Sequence, residues 1–141
     1  MNTTTRSSRP VVVAYWIATA IVTAELAVGG VWDIARLAYV RDIVTGLGYP
    51  TYLLVLLGVW KILGAAALLV PRFPLVKEWA YAGSFFVYTG ALASHLTTGY
   101  GPAEVPVLTV MTVLTAASWY LRPASRTLRR RPARLTVAAS P

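Results

Sequence analysis

Four stretches nearly free of charge divide this chain, and each is about as long as a lipid bilayer is thick. Residues 10–32 carry one charge, Glu25, and residues 51–70 carry one, Lys61. Residues 79–99 hold only the ionisable ring of His95, and residues 105–121 hold no charge. At about 1.5 Å of rise per residue, helices of these lengths are roughly 26–35 Å long, the depth of a hydrocarbon core. Backbone amides in lipid must find partners inside their own segment, so each stretch is expected to be helical. The composition agrees. Apolar residues make up 57% of the chain and charged ones 13%, about half the charged share usual for a soluble domain.

The expected fold is therefore all-α, an integral membrane four-helix bundle with spans at about residues 11–32, 51–70, 79–98 and 104–121. Residues 11–122 form its one domain. Residues 1–10 and the basic, disordered 123–141 are tails. The first span, preceded by Arg6 and Arg9, has the look of a signal peptide. Its apolar run is long for one, and three further spans need it as a packing partner.

Basic residues set the orientation. Arg6, Arg9, Arg72, Lys77 and the six arginines after Leu121 share one side of a four-span chain, against Arg36 and Arg41 on the other. The positive-inside rule then places both termini in the cytoplasm. Many Ala and Val residues, and far more Arg than Lys, suggest a GC-rich bacterial genome, and so a bacterial cytoplasmic membrane. A net charge of +8 could suit nucleic acid, but the basic tail lacks interleaved aromatics or a binding fold. It is read instead as a topology anchor touching anionic lipid headgroups.

The first loop, "DIARLAYVRDIVTGLGYP", is the only long connection. Leu37, Val40, Val44 and Leu47 recur at helical spacing while Asp33, Arg36, Arg41 and Asp42 mostly face elsewhere, the pattern of a short interfacial helix in the outer headgroup region. The second loop, "PRFPLVKE", is read as running from Pro71 to Glu78, its prolines stopping the second span.

An intramembrane charge costs about 2.5–3.5 kcal/mol on insertion scales, so it faces the bundle and finds a partner. Glu25, Lys61, His95 and Glu104 all fall in the outer half of the expected bilayer. Each of the first three lies on a face suited to helix contact. These faces are Ala18, Ile21, Val22, Glu25 and Gly29 on the first span, and Gly58, Lys61, Gly64, Ala65 and Leu68 on the second. The third carries Ser84, Tyr88, Ala91 and His95. A Glu25–Lys61 pair is expected, either as ions or as neutral acid and amine, with His95 and Tyr88 beside it and Glu104 opening the fourth span. The bland readings stay open: a pair that only fixes helix register, and a histidine reaching headgroups. Trp79, Tyr81, Tyr88, Trp119 and Tyr120 read as interfacial belts or packing, and Thr109, Thr112 and Thr115 as packing polar groups.

Residues 47–99 carry a resemblance. "LGYP" at Leu47–Pro50, the lysine in "GVWKILGAAALL", "PRFP" followed by "KEWAYAG", and Ser94–His95 occur in the order found in the DoxX-like family of small four-span bacterial membrane proteins. The chain resembles that family over about residues 11–122. The resemblance implies an accessory or interaction subunit of a membrane-associated redox or detoxification system, with a redox-enzyme partner or a second copy. It also implies a quinone as an alternative ligand. With no cysteine and a single histidine, the chain lacks thiolate clusters, a dithiol or a pair of haem-ligating histidines. No metal site and no cofactor held by the chain itself are expected. Two further classes remain: a quinone-binding oxidoreductase component in which His95 and Glu25 or Lys61 exchange protons with the ligand, and a small permease, for which four spans leave little room.

Overall fold

In the computed structural model, which describes residues 8–123 together with 126 and 127, the chain folds into helices α1 (Arg9–Ala35), α2 (Ala38–Gly46), α3 (Tyr52–Leu69), α4 (Pro74–Thr98) and α5 (Glu104–Tyr120). No strand occurs among the described residues. Most of both expected tails lies outside them.

Local chemistry sets the helix ends. Pro10 occupies the first turn of α1, where its missing N–H costs nothing. Beyond α1, Arg36 turns left-handed at φ 51°, and the N–H groups of Arg36 and Leu37 close on the carbonyls of Asp33 and Trp32. The helix thus runs a turn past the expected end of the first span and carries Asp33 with it. The second loop is shorter than expected. Pro71 follows the end of α3, but Pro74 opens α4 at its first turn, because proline suits a helix start as well as it ends one. Lys77 and Glu78 are therefore helical residues, not loop residues. Gly99 closes α4 at φ 68°, its N–H on the His95 carbonyl.

The four long helices form a ring. α1 packs against α3 and α5, and α4 packs against the same two. The tightest approach is between α1 and α3, where a Cβ added to Gly58 would lie 2.6 Å from the Gly30 carbonyl oxygen. Small residues let two backbones meet there. Gly64, on the expected contact face, sits in looser surroundings, with its nearest neighbour Leu26 Cδ1 3.9 Å from an added Cβ. Ala18 and Val22 are buried as the first-span stripe requires, but Ile21 faces outward.

Val22, Leu26, Ala65, Leu68, Tyr81 and Tyr88 make the apolar core. Around it the interior is partly polar: Thr19, Ser84, Thr115 and Ser118 are buried, while Ile17, Leu56, Leu63, Phe86 and Val113 are exposed. Thr19 and Tyr81 both hydrogen-bond Ser118, at 2.7 Å and 2.8 Å. Thr109, Thr112 and Thr115 each donate to the carbonyl four residues back, which lets a hydroxyl sit in an apolar setting. α1 and α3 are long and apolar enough to cross a membrane.

Candidate functional site

Lys61 stands between two carboxylates. Its Nζ lies 3.4 Å from Glu25 Oε1 and 3.2 Å from Asp33 Oδ2. Tyr88 donates its hydroxyl hydrogen to the other oxygen of Glu25. Three helices thus supply one network: α1 gives Glu25 and Asp33 two turns apart, α3 gives Lys61, and α4 gives Tyr88. Gly29, between the two acids on α1, leaves the space these groups fill, since a Cβ there would come within 2.8 Å of Glu25 Oε1 and 3.2 Å of Lys61 Nζ.

Asp33 is the residue that sequence reasoning missed. The sequence pattern sets it in the first loop, off the apolar stripe; it lies on α1, 5% exposed, and holds Lys61. The signal was present. Asp33 follows Glu25 by eight residues, a spacing that keeps both on one helical face.

The other expected residues lie further along the same hollow. His95 is buried, and its Nδ1 is 2.6 Å from the Tyr100 carbonyl oxygen. Glu104, in the first turn of α5, accepts the hydroxyl hydrogen of Tyr39 at 2.5 Å. This bond, followed by burial, raises the Tyr39 phenol above its ordinary pKa. Tyr39 belongs to α2, which also receives the Tyr100 hydroxyl on its Asp42 carbonyl at 3.3 Å. Gly46 leaves room for the Tyr100 ring.

Glu25, Asp33, Lys61, Tyr88, His95 and Glu104 all line one cavity of about 720 Å³. Trp32, Leu57, Val107 and Met111 are among its apolar walls; α2 contributes Val40, Ile43 and Val44, and Leu47 follows just beyond its end. The stripe read as that of an interfacial helix is thus largely the cover of this hollow. A lipid-soluble molecule of moderate size fits such a space, with its body on the apolar walls and its head on the ionic network. A second hollow of about 730 Å³, between α4 and α5, is lined by Trp79, Phe85, Phe86 and Trp119 and presents little polar chemistry.

The opposite end of the bundle holds a separate set of charges. Lys77, 2% exposed, donates to the carbonyls of Ala67 and Leu68 at 2.8 Å and 2.7 Å, satisfying two of the acceptors that the end of α3 leaves open. Burial, then the nearby Arg126 and Arg122, push its pKa down to about 8. Glu78 takes Arg122 Nη2 at 2.7 Å and the Trp119 indole at 2.8 Å. Arg122 also stacks on Tyr81, and Arg126 on Trp16. These contacts tie helix ends together. Sequence reasoning placed Lys77 in a loop and gave it only a topological part.

Residues 17–118 match the DoxX-like family, and the chain belongs to it. Neither a curated protein nor a solved structure matches the chain.

Proposed function

We propose that this DoxX-like protein is a four-span subunit of a bacterial cytoplasmic membrane, with both termini inside, that holds a lipid-soluble small molecule in its outer-half cavity. It serves a membrane-associated redox or detoxification system as an accessory component, with a partner enzyme or a second copy beside it. The observation that carries this reading is the cavity itself: apolar walls converge on a carboxylate–ammonium–carboxylate network closed by a tyrosine. A pair that merely fixed helix register would need no space beside it.

Support for the membrane setting comes from the polarity of the bundle. Exposed apolar side chains on all four long helices, set against buried hydroxyls and ion pairs, suit lipid outside and a satisfied polar interior. The basic residues favour the stated orientation. A second reading, a quinone-binding oxidoreductase component, draws on the same cavity, where ionisable groups stand ready to exchange protons with a bound ring. Extraction in mild detergent followed by mass spectrometry of copurified small molecules tests both. A lipid-soluble compound is expected at near-stoichiometric amounts, and a quinone specifically under the second reading. If extracts carry no such compound and no added quinone or other lipophile raises the melting temperature, the binding role fails. Affinity capture from the native membrane then tests whether an enzyme partner remains.

A further inference from the structure

The hydrogen atoms of the cavity wall are almost all spent inside the protein. Tyr88 gives its hydroxyl hydrogen to Glu25, and Tyr39 gives its own to Glu104. Ser94 donates to the Gly90 carbonyl, so in the contact between Tyr49 and Ser94 the phenol is the donor. Lys61 directs two of its three N–H bonds at Glu25 and Asp33. The Tyr100 carbonyl can only accept, so the hydrogen of a neutral His95 ring sits on Nδ1 and its Nε2 is a bare lone pair.

What remains on the wall is mostly acceptors. Asp33 Oδ1, Glu104 Oε2 and His95 Nε2 make no hydrogen bond among the described residues, and both Glu25 oxygens keep spare lone pairs. His95 adds weight because the residue is 4% exposed and still lines the hollow. Against this set stand the third N–H of Lys61 and the indole of Trp32. A ligand whose polar head only accepts would leave these oxygens and the imidazole nitrogen desolvated and unpaired, and a missing partner costs more than a formed bond returns.

The geometry points to a ligand of the hydrogen-bond-donor class: an apolar body bearing a hydroxyl on an aromatic ring, a phenol or hydroquinone, in preference to the corresponding ether or quinone. This rests on the cavity being a ligand site, and it names the chemistry of the ligand. Of a redox couple that differs by two hydroxyl hydrogens and their electrons, the reduced member is the one held.

Four probes of matched shape test it on the full-length protein in lipid nanodiscs, under anaerobic conditions. They are a long-chain alkylphenol, its O-methyl ether, an alkylhydroquinone and its quinone. Affinities are read against the probe's mole fraction in the lipid, so that partitioning cancels. The phenol is expected to bind about tenfold tighter than its ether, and the hydroquinone than its quinone. Leu57→Trp, which fills the cavity, is expected to abolish binding of all four. Ether or quinone binding equal to or tighter than that of the hydroxyl partner overturns the donor inference and leaves the cavity as a site. Phenol binding that persists in Leu57→Trp places the ligand elsewhere and overturns it too. Failure of all four probes to bind overturns the ligand-site reading on which the inference rests.

Discussion

An ammonium held by two carboxylates in a low-dielectric interior is balanced only while its partners remain. Lys61→Met leaves Glu25 and Asp33 without their shared cation; breaking a fully buried pair costs about 3–5 kcal/mol, and this part-buried one somewhat less. The melting temperature in detergent should fall sharply. Adding Glu25→Gln should return only part of the loss, because Asp33 is still stranded; adding Asp33→Asn as well should return most of the rest. A double variant as stable as the triple would remove Asp33 from the network. Lys77 makes a pH prediction. Its folded pKa of about 8 lies below its ordinary 10.5, so between those values the unfolded chain binds more protons and stability rises with pH. Chemical denaturation at pH 8 and pH 10 should show this rise, and Lys77→Met should flatten it. At this scale Glu25, Lys61, Tyr88 and His95 were legible because an ionisable group in an apolar stretch must be accounted for. Asp33 was not, because it lies just beyond the apolar run, where a charge is ordinary. The seating of Tyr39 of α2 on Glu104 depends on a contact 65 residues apart, which no local pattern encodes.

Helices α1 and α3 meet through glycine, and that contact sets the separation at which Lys61 can reach across. Gly58→Ala drives a methyl group to 2.6 Å from the Gly30 carbonyl oxygen, a clash with backbone that cannot swing aside. The expected loss is about 1–3 kcal/mol, read as a lower melting temperature. Gly83→Ala meets nothing within 4 Å and should be neutral or gain up to about 1 kcal/mol from helix propensity. Equal effects at the two positions would show that the α1–α3 contact is not tight. The four long helices could be read from the sequence because charge-free runs of bilayer length leave the backbone few alternatives. Their ends were less legible. Proline is compatible with both the end of α3 and the start of α4, and only the position of Pro74 relative to the chain reversal decides between them. The order of the helices in the ring followed no sequence signal except the short loops joining α3 to α4 and α4 to α5.

The described residues form a ring of helices that puts many apolar side chains outward and turns Glu25, Asp33, Lys61 and His95 into one cavity, with α2 across one end of it. Placing that cavity in the outer half of a membrane requires four crossings and both termini on the cytoplasmic side. The absence of cysteine makes this testable with a single background. Single cysteines at Ser8, Arg41, Phe73 and Pro102, introduced one at a time, can be challenged with a membrane-impermeant maleimide in spheroplasts of a bacterial host. Labelling is expected at Arg41→Cys and Pro102→Cys in intact spheroplasts, and at Ser8→Cys and Phe73→Cys only after lysis. Labelling of Ser8→Cys or Phe73→Cys before lysis, or protection of either Arg41→Cys or Pro102→Cys, would rule out four crossings with both termini inside.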